Sequence, residues 1–119
     1  MSTQQPMRRK GSCVAIWLGH FTDELELDEY LYSEFGSEFG CQPEDNNVPE
    51  FSVHQAPLPI RELLSGFSFA KDFLEAAVLQ ASQRGISTAT SAVIYYQSEH
   101  DEGIAPTSAK MVFLGNITW

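Results

Sequence analysis

Six consecutive apolar residues, Cys13-Val14-Ala15-Ile16-Trp17-Leu18, stop abruptly at Gly19. The run is far too short to cross a bilayer, and its β-branched and aromatic content is that of a strand. A strand with apolar residues at odd and even positions alike has two faces to bury. It therefore belongs inside a sheet rather than at an edge.

The rest of the chain reads as elements that can surround such a strand. Thr22 is placed to cap a helix, with Asp23 and Glu24 favouring the positive end of its dipole. Leu27, Leu31 and Phe35 fall at i, i+4 and i+8 with Tyr30 beside them, and Gly36 marks the end. Residues 36–50 carry Gly36, Gly40, Pro43, Asn46, Asn47 and Pro49 and read as a polar loop. A short strand over 51–55 is confined to an edge by Pro57 and Pro59, and one or two helical turns over 60–64 follow Pro59.

The clearest helix begins after Ser68, a good N-cap. Its stripe is Phe69, Phe73 and Ala77, widened by Ala70, Leu74, Val78 and Ala81. Gly85 occupies the left-handed position of a Schellman closure, in which Ile86 folds back on Ala81. Strands over 92–97 and 110–119 flank a long acidic loop over 98–109. Trp17, Phe69, Phe73, Tyr96 and Phe113 all fall at expected core positions. The order β-α-(β)-α-β-β predicts an α+β fold with a mixed or antiparallel sheet and two main helices packed on one face. Residues 1–12 read as a flexible N-terminal tail and 13–119 as a single α+β domain.

Charge is distributed unevenly. The net charge is −9, and residues 23–50 hold ten acids with neither Lys nor Arg among them. Three of the seven bases, Arg8, Arg9 and Lys10, lie in the tail. Such a surface repels nucleic acid and anionic membrane, and its natural partner is basic. The same acids also serve solubility. With no apolar core of a secretory signal in view, a cytoplasmic location is expected.

Chemistry-bearing patterns are scarce. His20, His54 and His100 are scattered without ligand spacing, and Cys13 and Cys41 form no close motif. There is no Gly-x-Ser-x-Gly and no phosphate-cradling glycine loop. The acidic loop at Glu44 and Asp45 lacks the ligand order of a calcium loop. These residues point to no catalytic residue, no metal and no cofactor, and to a binding protein rather than an enzyme. Two other roles stay open at this level: a non-toxin adaptor whose acids only keep it soluble, and a small enzyme using Cys41 or a carboxylate-histidine site. Tyr30 and Tyr32, on a helix dense with acids, have the composition of a protein interface.

The motifs Trp17-Leu18-Gly19 before an acidic Tyr-containing helix, Gly66-Phe67-Ser68-Phe69 before an Ala-rich helix, Val93-Ile94-Tyr95-Tyr96 before an acidic loop, and the closing Phe113-Leu114-Gly115 occur in a telling order. Together they resemble the bacterial immunity proteins grouped as immunity protein twenty-two, which accompany polymorphic toxins. The resemblance runs from about Val14 to Trp119, with 40–56 departing from the family's pattern. It implies a non-enzymatic protein that binds and neutralises a cognate toxin domain, one with a basic cleft if the toxin is a nuclease. Trp17, Gly19 and Gly115 match the family's motifs as structural residues. On this reading the partner-binding residues are Asp23, Glu24, Glu26, Asp28, Glu29 and Tyr30, followed by Glu44, Asp45, Glu99, Asp101 and Glu102 in the loops.

Overall fold

A computed structural model describes residues 13–33, 49–96 and 111–118. In chain order the elements are β1 (Cys13–Gly19), α1 (Glu24–Ser33), β2 (Glu50–Pro59), α2 (Ile60–Leu64), α3 (Ala70–Gln83), β3 (Thr88–Tyr96) and β4 (Met111–Thr118). The strands form one antiparallel sheet in the order β2-β3-β1-β4. The fold is α+β, and β1 lies between two neighbours, as a strand apolar on both faces requires.

The helices do not share a face. Val14, Ile16 and Leu18 join a core with Ile60, Leu63 and Leu64 of α2 and with Phe73, Ala77 and Ala81 of α3. Ala15 and Trp17 point the other way, into a second core with Leu27, Tyr30 and Leu31 of α1. The expectation of helices on one side is therefore corrected, and the reason is already visible in β1. Alternate side chains leave a strand on opposite sides, so an all-apolar strand needs cover on both.

β4 meets the same demand with a bulge. Ile16 pairs with Gly115 and Trp17 with Phe113, which leaves Leu114 as the extra residue. The register shift turns Met111 and Phe113 toward Trp17 while Leu114 and Ile117 face α3. Gly115, at φ 154°, supplies a backbone conformation that side-chain-bearing residues rarely adopt.

β2 keeps its prolines at the edge of the sheet. Val53 pairs with Ser91 and Leu58 with Ala89, so 54–57 arch away opposite a single residue of β3. The strand is longer than the 51–55 expected, because it runs on to Pro59 and hands directly to α2.

α3 ends as its sequence demands. Gly85 has φ 76°, its N–H reaches the Ser82 carbonyl at 3.1 Å, and the Ile86 N–H reaches the Ala81 carbonyl at 2.8 Å. This is a Schellman closure. A Gly85→Ala substitution is expected to lower the unfolding free energy by about 1 kcal/mol, since a Cβ is penalised in the left-handed region. A denaturant midpoint unchanged from wild type would refute that cost.

The start of α3 differs from expectation. Ser68 supplies no side-chain cap. Phe69 precedes the helix at φ 62°, is 63% exposed and stands outside the core, its ring edge-on to Tyr96 at 5.9 Å. The Glu50 carboxylate of β2 anchors the residue just ahead of the helix instead: it accepts the Ser68 N–H at 3.2 Å and the Tyr96 hydroxyl, which also lies 3.0 Å from the Ser68 carbonyl. Local sequence favours Ser68 as a cap, but the chain enters the helix one residue later, through the left-handed Phe69, and a charged acceptor from a neighbouring strand holds the Ser68 backbone.

Burial, and then the neighbouring Glu50 carboxylate, push the Tyr96 phenol well above its ordinary value. A raised acid pKa in the folded state means that this stabilisation is complete below the ordinary tyrosine value of about 10. It is lost as pH climbs toward the folded value, because only the unfolded chain then gains by releasing the proton. Between about pH 9 and about pH 11 the wild type should lose more stability than Tyr96→Phe, as read from urea midpoints at the two pH values. Equal losses in the two proteins would rule the linkage out.

Candidate interaction surface

The acidic face of α1 is placed by a short link stapled to the sheet. After β1 the chain turns at Phe21, whose N–H donates to Ser91 Oγ at 3.2 Å. Thr90 Oγ1 donates to the Phe21 carbonyl at 2.7 Å. Thr90 and Ser91 are the buried polar residues of β3, and these bonds account for both of them. The Phe21 ring lies 5.1 Å from that of Tyr30, so the link and the helix share one apolar contact.

Asp23, not Thr22, caps α1. Its Oδ1 accepts the Leu25 N–H at 3.0 Å, and its carbonyl takes the first helical bond, from the Leu27 N–H at 3.1 Å. A carboxylate at this position satisfies an orphan donor and meets the helix dipole at once. Leu27, Tyr30 and Leu31 are driven into the Trp17 core. The remaining positions are thereby committed to solvent: Asp23, Glu24, Glu26 and Glu29 are exposed and Asp28 is half-buried.

Two large apolar side chains join the acids on this outer face. Leu25 is 64% exposed and Tyr32 is 60% exposed. Seven residues apart on a helix, they lie almost in line, with Asp28 and Glu29 between them. The surface is thus an apolar pair set among carboxylates, with no cation on the helix. The sequence reading missed Leu25. The signal was present, since Leu25 falls off the Leu27–Leu31 stripe and its exposure follows from that phase.

Tyr30 is corrected. It is only 3% exposed, packed with Trp17 and Phe113 rather than turned to a partner, because its position is one of the three that face the sheet. Tyr32, not Tyr30, is the accessible aromatic. Glu44, Asp45, Glu99, Asp101 and Glu102 lie outside the described residues, so only the helix portion of the acidic stretch is seen as a surface.

Away from α1, one ion pair links the two helices on the other side of the sheet. Arg61 of α2 forms a two-pronged pair with Glu75 of α3, its Nη2 2.9 Å from Oε1. The hydrogen bond to Arg61 holds the Glu75 carboxyl below its usual range. Both partners are exposed, so the pair adds little to stability.

Cys13 is buried in β1; Cys41 and His100 lie outside the described residues. Among the described residues no group of three or more His, Cys, Asp or Glu side chains is arranged to hold a metal ion, and no helix is long and apolar enough to cross a membrane.

Comparison of the chain with family models, with curated proteins and with solved structures returns no match.

Proposed function

We propose that this protein is an immunity protein that binds a cognate bacterial toxin domain in the cytoplasm and neutralises it by contact, without catalysis and without a cofactor. The observation that carries this reading is the outer face of α1, where the four carboxylates of the helix and that of its cap Asp23, with no cation on the helix, surround the exposed Leu25 and Tyr32.

Two physical arguments support it. First, the acids repel one another at helical spacing: Glu24 with Asp28 at i, i+4, and Glu26 with Glu29 at i, i+3. Each such pair costs a helix roughly 0.2–0.5 kcal/mol. Solubility alone would be served as well by mixed charges without that cost. Second, an apolar pair ringed by charge has the makeup of an interface centre and its rim: Tyr32 and Leu25 as anchors, carboxylates as steering groups. The partner that fits is a basic surface. A nuclease domain has one by necessity, since it must hold phosphates. The order of aromatic-glycine motifs that resembles the immunity proteins points the same way.

The deciding experiment is co-expression with a toxin domain encoded beside this chain, followed by pull-down at about 50 mM and about 500 mM salt. Capture that weakens at high salt is expected. Failure to capture, or capture indifferent to salt, would reject the acidic-face reading. Capture of a non-toxin partner in its place would assign the protein to the adaptor class.

A further inference from the structure

The two edges of the sheet are built differently. β2 carries Pro57, Pro59 and the arch over 54–57, devices that blunt an edge against further pairing. β4 forms the opposite edge, and among the described residues no strand pairs beyond it. It is eight residues long and holds neither proline nor charge, and no acid occurs between Glu102 and Trp119. The bulge at Leu114 sends side chains to the two cores and adds no charge to the edge.

A second uncharged surface adjoins this edge. α2 packs over β2 and β3, and α3 over β4, where the Gln80 side chain lies across Gly115. Glu75 reaches back to Arg61 of α2, and Leu74 and Val78 are half-buried on that same flank of α3. The opposite flank, on the side of the β4 edge, presents Ala76, Leu79 and Gln83, three and four residues apart and all exposed. Leu79 is 58% exposed, and residues 76–83 include no charged side chain.

We propose that β4 pairs antiparallel with β4 of a second copy of this chain, joining two four-stranded sheets into one. The two-fold axis of such a pair stands perpendicular to the sheet, so both α3 helices lie on one face with their uncharged flanks toward each other. The occupant follows from what each candidate covers. A lone peptide strand satisfies the outer backbone of β4 but leaves Leu79 in water, whereas a second copy covers both at once. Charge selects in the same direction. Two chains of net charge −9 repel one another except where acids are missing, and a basic partner gains nothing from an edge without them. α1 covers the other face, so pairing leaves its acids free, and the contact stands whether or not they bind a toxin.

The test is sedimentation velocity of the full chain over a concentration series, with amide hydrogen exchange measured at both ends of the series. A species of twice the 13.3 kDa chain mass is expected, with a Kd of about 10 μM or tighter. Exchange in β4 should slow as the dimer forms, while exchange in α1 stays as it was. Ala76→Lys with Leu79→Lys should raise Kd at least about tenfold, even though it lowers the net negative charge that opposes association. Both positions are exposed, so the urea midpoint of the dilute double variant should change little. A monomer throughout the range from about 1 to about 100 μM would overturn the proposal. So would a dimer that protects α1 in place of β4, or one that the double lysine variant leaves intact.

Discussion

Reversing two charges on α1, Glu26→Lys with Glu29→Lys, is expected to lower affinity for a basic toxin domain by about 100-fold or more. Like charges brought together across an interface cost several kcal/mol, and 1.4 kcal/mol is already a factor of ten. Much of the loss should appear in the association rate at low salt, where complementary fields speed capture, and should shrink as salt is raised. Both residues are exposed and outside the Trp17 core, so the fold should survive.

The outcome separates two uses of the acids. If they only keep the chain soluble, the double variant will neutralise its toxin as wild type does, and the acidic-face reading fails. If they steer a partner, stopped-flow association should slow while dissociation changes less. Leu25→Ala and Tyr32→Ala should act in the opposite sense, raising the dissociation rate with little change in salt dependence, because anchors hold where charges guide.

The second large effect concerns stability. Trp17→Ala is expected to remove about 4 kcal/mol, within the range for truncating a fully buried aromatic. Trp17 is wholly buried, lies edge-on to Tyr95 at 5.8 Å and sits 4.9 Å from Phe113. It also fills the space between the central strand and α1, so its removal weakens the contact that holds the acidic face in position. Domains of this kind have only about 5–15 kcal/mol in hand. The loss should therefore show as a large fall in the urea midpoint, with Trp17→Phe losing much less. A fall of under about 1 kcal/mol for Trp17→Ala would mean that this second core is loosely packed.

Most of the elements were legible from local signals. The Schellman closure at Gly85 is written in Arg84-Gly85-Ile86, and the edge position of β2 in Pro57 and Pro59. The interior place of β1 follows from six apolar residues in a row. The start of α3 was not legible, because Glu50 reaches Ser68 from eighteen residues away and no local pattern carries that contact. The exposure of Phe69 has the same origin: once the chain enters the helix through a left-handed residue, the side chain leaves the stripe its spacing assigns. Of the candidate site, the acids of α1 were legible as a run of like charge. The apolar pair among them was not, because apolar residues read as core until the phase of the helix against its sheet is known.

The two-faced apolar strand therefore determined more than its own position. Side chains alternate along it, so cover on both sides was required by the sequence of β1 alone, and so was a sheet interior to place it in. Which helix covers which side was decided only by tertiary packing. The link after Gly19, stapled through Phe21 to Thr90 and Ser91, places α1 over Trp17, while the turn after Pro59 places α2 and α3 over Ile16. A periodic stripe specifies that a helix must be buried, but not against what. That choice belongs to contacts between residues some 70 positions apart, and through them the fold turns a run of acids into one outward face.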